Sequence, residues 1–244
     1  MNIFHVHTYR CGHAENILDE AYVKKAVELG ADEILFTDHA PFSGNPFGSR
    51  MNYDELEEYL DMLSLLKKKY TDIAIHIGLE AEYFPHFDAD GYYKHLRSLS
   101  ELEMLLLGQH MAQISDDPLE YSFSESTEFL NENEYRLLGN AIVQGAESGY
   151  FDVIAHPDRI FRRCSVWDSD MENVSNEIIQ AAIKAGIPLE MNLSSVESPI
   201  NYKLEFWQLV PDTVKRVIGF DVHSLYEMEL RYNSITERLK KFEE

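Results

Sequence analysis

Cysteine is scarce in this chain, and so is positive charge. Two cysteines, Cys11 and Cys164, are too few for a disulfide framework, so a reduced, cytoplasmic setting is expected. Lysine and arginine number 21 against 43 acids, a formal net charge of -22. Such a field repels phosphate backbones and anionic lipid at long range, which argues against nucleic acid or a membrane surface as partner. No apolar run approaches the ~20 residues of a membrane span. The N-terminus has no basic region followed by a long apolar segment, so no secretory signal is expected. Repeats and low-complexity stretches are missing too. What remains is an ordinary globular composition, 45% hydrophobic and 12% aromatic over 244 residues. That is enough for a sizeable core, in one large α/β domain or two small ones.

Apolar periodicity divides the chain into alternating strands and helices. Strands are expected at Ile3–Val6, Glu33–Phe36, Ile73–Leu79, Met104–Leu107, Asp152–Ala155, Ile187–Met191 and Val217–Phe220. Helices are expected at Glu15–Leu29 (closed by Gly30), Tyr53–Tyr70, Tyr92–Leu99, Glu132–Tyr150, Asn173–Ala185 (closed by Gly186) and Ser224–Phe242. The stretch Ala40–Asn52 carries Pro41, Gly44, Pro46 and Gly48 and reads as a long loop after a strand, a common place for function. Ser115–Thr127 reads as polar and irregular. Alternation of this kind calls for a parallel sheet with helices outside it. A (β/α) barrel of about 250 residues is a typical size. Seven strands instead of eight imply a distorted or incomplete barrel, with an open doubly wound sheet as the other arrangement the pattern allows.

The chemistry lies at the strand ends. His5 and His7 alternate in or just after the first strand, so both face one side, and His13 follows after Cys11 and Gly12. Three neutral nitrogen donors of this kind suit zinc, iron or manganese. Strand two ends in Asp38-His39, strand three in Glu80, strand four in His110, strand five in His156, and strand seven in Asp221 and His223; strand six offers only Asn192. In a parallel barrel all these ends share one face. Any single histidine could be an innocent polar residue at a strand end. The seven together (His5, His7, His13, His39, His110, His156 and His223) point to a metal cluster, whereas His76, His86 and His95 read as ordinary strand, loop and helix residues. Seven imidazoles plus Glu80 and Asp221 exceed what one ion uses, so two or three divalent ions are expected, Glu80 bridging a pair. Paired ions suit phosphate-ester hydrolysis.

His-Val-His-Thr, Thr-Asp-His, Gly-Leu-Glu-Ala-Glu, Gly-Gln-His, Ala-His-Pro-Asp and Gly-Phe-Asp-Val-His stand in the order of the PHP (polymerase and histidinol phosphatase) superfamily motifs. The chain resembles that superfamily over nearly its whole length. It is most similar to the histidinol-phosphatase branch through Cys11-Gly12-His13, Asp38-His39-Ala40-Pro41-Phe42 and the Met51–Tyr59 region. The resemblance implies a distorted (β/α)7 barrel, one domain spanning 1–244, with three ions. His5, His7, Glu80 and Asp221 would hold the first, Glu80, His110 and His156 the second, and His13, His39 and His223 the third. The implied activity is phosphomonoester hydrolysis by a metal-bridging hydroxide, with L-histidinol phosphate in L-histidine biosynthesis as the leading substrate. Another small phosphoester, a phosphotyrosine protein, or a non-catalytic metal-binding module are the alternatives. Asp38 and Asp221 are the candidate catalytic carboxylates, Asp38 either supporting the site or transferring a proton, or else capping the following segment. A basic residue that the branch often carries after Asn192 is missing from Leu193–Ser198. Arg159, Arg162, Arg163 or Lys203, together with Asn192, are therefore the candidates to meet the substrate, with Arg162-Arg163 also readable as a solvated basic cluster. Glu82 reads as a supporting acid or a surface residue, and Cys11 as a small buried hydrophobe.

Overall fold

The structure is a computed structural model that describes residues 1–115, 117 and 120–242. Seven parallel strands follow chain order in one sheet: β1 Asn2–Val6, β2 Glu33–His39, β3 Ala74–Ala81, β4 Met104–Leu107, β5 Val153–Ile154, β6 Leu189–Asn192 and β7 Arg216–Gly219. The described helices are α1 Asp19–Leu29, α2 Leu56–Lys69, α3 Pro85–Ala89, α4 Tyr92–Leu96, α5 Thr127–Ser148, α6 Ser169–Ala185, α7 Leu204–Leu209, α8 Leu225–Asn233 and α9 Ile235–Lys240. The sheet closes on itself beyond β7. Phe220 N donates to Phe4 O at 2.7 Å, Val222 N to His5 O at 3.2 Å, and His7 N to Val222 O at 3.0 Å. Of the two expected arrangements the barrel is therefore the one found. No described helix is long and apolar enough to cross a membrane.

Alternation along the strands sorts side chains into two layers. On β2, Ile34 and Phe36 join the outer core against residues such as Tyr22 and Val23 of α1 and Leu60 and Leu63 of α2. Leu35 instead meets Leu106, Val153 and Ala155, with Phe4, Met104 and Val217, in a small apolar cluster drawn from the strands and the residue just after β5. Beyond it, toward the carboxyl ends, inward positions turn polar. On β1 simple alternation fails. The pairing slips by one residue between Ile3 and Val6, and His5 takes φ 73°. This bulge lets Ile3 and Val6 both join the outer core, while His5 and His7 still share the interior.

Several boundaries differ from expectation for local reasons. β2 and β3 run on to His39 and Ala81, so Asp38, His39 and Glu80 lie within strands. α5 begins at Thr127, because Ser126 caps it by accepting from Phe129 N, and α6 at Ser169, because Asp168 accepts from Asp170 N and Met171 N. Residues 15–18 are not helical. Glu15 N donates to His223 O at 2.7 Å and Glu15 Oε2 accepts from Leu225 N at 3.0 Å, drawing this segment across the end of β7. Pro85 opens the short α3, which puts His86 on a helix instead of in a loop. The expected C-terminal helix is interrupted at Ser234, whose Oγ donates to Leu230 O at 2.6 Å and accepts from Arg238 Nε at 2.8 Å. The polar stretch Ser115–Thr127 includes residues 116, 118 and 119, which lie outside the described residues; its remainder holds a 3-10 turn at Ser122–Ser124 and the start of α5.

The end of β7 is pinned from outside. Arg231 of α8 is buried, and its Nη1 donates to the carbonyls of Phe220 and Asp221 at 3.1 and 2.5 Å, while Nε and Nη2 fork onto Glu197 at 2.9 and 3.0 Å. Arg231→Met leaves two buried carbonyls without their donor. It should lower the unfolding free energy by about 3 kcal/mol, since a buried acceptor left unsatisfied costs about 1–3 kcal/mol. Denaturant unfolding measures this, and a loss under about 1 kcal/mol, the size of a surface pair, would show that the contact does not anchor the strand end.

Candidate metal centre

Glu80, near the end of β3, is buried with its carboxylate pointing into the barrel. Room for it exists because its neighbour on β4's exit is glycine: a Cβ at Gly108 would stand 1.9 Å from Glu80 Oε1. Five imidazoles surround the carboxylate. His156 Nε2 and His110 Nε2 lie 2.7 and 3.6 Å from Oε1, and His39 Nδ1, His5 Nε2 and His7 Nε2 lie 3.1, 3.4 and 3.5 Å from Oε2. Burial alone would raise the Glu80 carboxyl, but His110, His5, His39 and His156 hold it well below the usual carboxylate range. Asp221 Oδ1 stands 3.6 Å from His7 Nε2, 4.0 Å from His5 Nε2 and 3.7 Å from His223 Nδ1. The metal-ligand candidates from strand ends one to five and seven thus converge on one spot.

Three of the seven rings are oriented from behind. His5 Nδ1 donates to Glu190 Oε1 at 2.6 Å, His110 Nδ1 to Glu82 Oε1 at 3.2 Å and His13 Nδ1 to the carbonyl of Cys11 at 3.0 Å. Glu190 also accepts the backbone N–H of His156 at 2.9 Å and Asn192 Nδ2 at 3.1 Å, joining β1, β5 and β6. Here too a glycine makes the room, since a Cβ at Gly219 would lie 1.8 Å from Glu190 Oε1. Glu190 is absent from the strand-end reading. Its signal was an acid inside the apolar run Ile187–Met191, two before Asn192 and so on the same face. Burial lowers the imidazole pKa values of His7, His156 and His223, and that of His39 to about 3, favouring the neutral ring that ligates metals. His5 differs: burial disfavours its charge, yet Glu190, Glu80 and Asp221 together raise it well above the ordinary value.

The donor atoms fall into sets close enough to hold a cation. His5, His7 and Glu80 form one, His39, Glu80 and His110 a second, and His13, His39 and His223 a third, the donor atoms of each within 4.8 Å of one another. His156 joins the second through its 2.7 Å approach to Glu80. A fourth set, His7, Cys11 and His223, includes the thiol read as a hydrophobe. Cys11 is fully buried, and that burial pushes its thiol up to about 11. Whether cations fit is answered by the rings themselves. His5 Nε2, both nitrogens of His7, His39 Nδ1 and His223 Nε2 are buried with no hydrogen-bond partner among the described residues. Each such atom costs about 1–3 kcal/mol if left unsatisfied. A convergent group of them beside two buried carboxylates fits divalent cations. His5, His156 and Asp221 also hold left-handed backbone, at φ 73°, 31° and 50°, strain of the kind that gathers at functional sites.

A cavity of about 520 Å³ opens above the cluster. His13, His39, Glu80, His110, Asp221 and His223 form its floor, and Pro46, Phe47, Met111 and Phe123 give it an apolar wall. Two cations line it, Arg159 and Arg50. Arg159 Nη2 donates to Asp221 Oδ2 at 2.7 Å, to Ser195 Oγ at 3.2 Å and to Asn192 Oδ1 at 3.3 Å. The other expected substrate contacts lie elsewhere. Arg162 Nη2 donates to the buried Glu134 at 2.9 Å and to His110 O at 3.4 Å, and Arg163 Nε to Glu134 at 2.8 Å, so this partly solvated pair is tied to a buried acid and does not line the cavity. Lys203 Nζ donates to Cys164 O at 3.3 Å, away from the cavity. Asn192 is fully buried, donating to Glu190 and Asp221 and accepting from Ser195 N at 2.9 Å; it braces carboxylates behind the floor. Asp38 also stands behind, accepting from Thr8 N at 2.6 Å and from the Thr8 hydroxyl, with Oδ1 3.9 Å from His7 Nδ1. Burial raises the Asp38 carboxyl to about 7 despite the two Thr8 bonds. Glu82, the residue read as supporting or exposed, is buried and paired with Arg50.

Fold and site together define a parallel α/β barrel with a histidine and carboxylate cation centre at its carboxyl mouth. Residues 4–194 match the family model described as PHP domain, and the chain belongs to that family. A curated relative, the histidinol-phosphatase of Bacillus subtilis (strain 168), is 26% identical over 264 aligned positions, covering 96% of this chain and 97% of that protein. Among solved structures, HisK of Listeria monocytogenes matches with TM-score 0.74 and 20% identity over 96% of this chain and 99% of its own. The histidinol phosphate phosphatase of Lactococcus lactis subsp. lactis Il1403, complexed with zinc, L-histidinol and phosphate, matches with TM-score 0.74 and 20% identity over 99% of this chain and 93% of its own. At that identity the two structures speak for the fold.

Gly108→Ala places a methyl where Glu80 now sits. The expected outcome is a folded protein, by circular dichroism, with zinc affinity weakened at least about tenfold, the loss typical of a displaced metal environment. Competition against a chelating dye measures it. Unchanged zinc binding would mean that the Glu80 carboxylate does not need its present position.

Proposed function

We propose that this protein is a metal-dependent phosphomonoester hydrolase acting on L-histidinol phosphate, a step of L-histidine biosynthesis. The chemistry rests above all on one observation, the convergence of unpartnered buried imidazole nitrogens on Glu80 and Asp221 beneath a cavity lined by an arginine. The substrate is supported by the Bacillus subtilis relative, whose similarity extends over nearly both chains. Zinc, manganese or iron suit a donor set of imidazoles and carboxylates, and two or three ions suit the number of donors.

When bound, such ions supply Lewis acidity and charge neutralisation to a phosphoryl group and its attacking water. His5, His7, Glu80 and Asp221 would hold one, Glu80, His110 and His156 another, and His13, His39 and His223 a third. Arg159 offers the phosphoryl oxygens a planar fork on the cavity side of Asp221, and its Nε is buried without a partner among the described residues. Asp221, clamped between Arg159 and Asn192 Nδ2, is kept from rotating out of the floor. Burial would raise its carboxyl, but Arg159, His5, His223 and His7 hold it well below the usual range, so it works as an anion. Asp38 acts on His7 from behind, because it does not line the cavity. Pro46, Phe47, Met111 and Phe123 give the leaving group an apolar surface that excludes water from one side of the reacting phosphate.

The test is phosphate release from L-histidinol phosphate by enzyme loaded with zinc or manganese, run beside a panel of small phosphoesters and a phosphotyrosine peptide. Histidinol phosphate should be the preferred substrate. Absence of turnover by fully loaded protein overturns the assignment, and preference for phosphotyrosine replaces the substrate. Arg159→Met should lower kcat/KM by about 10- to 100-fold, the worth of a hydrogen bond to a charged group. Arg159→Lys, which keeps the charge without the fork, should recover only part of that loss. Steady-state kinetics on both variants decide this.

A further inference from the structure

The loop between β2 and α2, residues 40–52, walls the cavity with Phe47 and Arg50. Arg50 is held more firmly than a loop arginine needs to be. Its side chain is 5% exposed, with Nη1 and Nη2 on the two Glu82 oxygens at 2.9 and 3.1 Å. Nη1 also donates to Ala40 O, and Nε to Gly48 O, each at 3.2 Å. The guanidinium lies over the rings of Phe42 and Phe47, 5.6 and 5.2 Å from their centroids. Glu82 Oε1 is shared, because it also takes the Nδ1 proton of His110 at 3.2 Å. A neutral imidazole has one N–H. With that proton on Nδ1, the Nε2 lone pair of His110 is left facing Glu80, 3.6 Å away.

We propose that Arg50 and Glu82 act as a positioning pair that sets both the tautomer of His110 and the closed seat of loop 40–52. The metal ligand and the apolar wall are thereby assembled as one unit. Neither residue needs to touch the reacting atoms. Arg50 fixes the Glu82 carboxylate in two directions, and Glu82 passes that constraint to the imidazole. The same guanidinium, through its carbonyl and ring contacts, keeps Phe47 against the cavity. This inference rests on the cation centre but not on the identity of the substrate.

The experiment uses the full chain as R50M, R50K, E82Q and the R50M/E82Q double variant. Zinc affinity is read by competition with a chelating dye, thermal melting in excess chelator checks the fold, and kcat and KM are measured at saturating zinc. R50M and E82Q should each weaken at least one zinc equivalent by about tenfold, the usual loss when an orienting partner of a ligand is removed. The double variant should be no weaker than the worse single one, since both substitutions break one unit. At saturating zinc, R50M should regain most of its kcat while KM stays raised, because Phe47 remains unseated. R50K, which cannot fork onto Glu82 and stack at once, should resemble R50M and serves if R50M does not fold. Zinc affinities equal to wild type in R50M and E82Q, or losses that multiply in the double variant, overturn the pair. Failure of the wild-type protein itself to bind zinc would instead remove the cation centre, so the two failures are distinguishable.

Discussion

A carboxylate sealed inside a protein and ringed by imidazoles is the constraint on which this structure depends. Glu80 is 1% exposed, and its oxygens face His5, His7, His39, His110 and His156. Burying such a charge is costly unless it is compensated. The neighbouring rings mostly favour the neutral form under burial, so their lone pairs and the carboxylate together constitute a field that divalent cations satisfy. Everything nearby serves to keep that field in place. The apolar plug of Leu35, Leu106 and Val153 closes the barrel below it, and the outer core fixes the strands that deliver it.

Holding so many polar groups at one mouth strains the backbone and crowds the interior, and both effects are visible. His5, His156 and Asp221 take left-handed conformations that cost of order 1–3 kcal/mol each. The bulge at His5 lets β1 deliver two imidazoles without moving Ile3 or Val6 out of the outer core. Crowding is relieved by Gly108 and Gly219, where a methyl would overlap Glu80 and Glu190. These glycines belong to the fourth and last motifs of the chain, and their role is to stay out of the way of a neighbouring strand's carboxylate. Orientation then comes from a further layer of acids: Glu190 behind His5, Glu82 behind His110, and Asp38 near His7.

The cluster was legible in the sequence because it obeys a simple rule: each strand of a parallel barrel exposes its carboxyl end to the same mouth. His39, Glu80, His110, His156 and His223 could thus be read as neighbours without any knowledge of their contacts. The layer behind them was less so. Glu190 sits within an apolar run, and Arg50 lies in a loop rich in proline and glycine, where periodicity says nothing about direction. Arg162 and Lys203 were misplaced for a related reason. A basic residue after a strand end is equally consistent with gripping a substrate and with satisfying a buried acid, and for Arg162 the acid is Glu134, 28 positions away. Helix starts moved by several residues where a cap outweighed the apolar pattern, as at Ser126 and Asp168. The helix expected from Glu15 gave way to contacts with residues 223 and 225, which only the closed barrel brings near.

Charge links the site to the rest of the molecule. The chain carries a formal net charge of -22, a field unfavourable to an anionic phosphoester. The cavity's own cations do little to reverse it. Arg50 is bound to Glu82 and Arg159 to Asp221, while Glu80 adds a further negative charge to the floor. Counted over side chains alone, the mouth is therefore not an anion trap. Affinity for phosphate has to come from cations that the imidazoles and carboxylates hold, with Arg159 supplying direction more than net charge. On this argument cation binding and substrate binding are thermodynamically linked in one direction of sign: each makes the other more favourable. The surplus of acid over the whole surface is then tolerable, because the attraction that matters acts over a few ångströms, well inside the distance at which salt screens the long-range field.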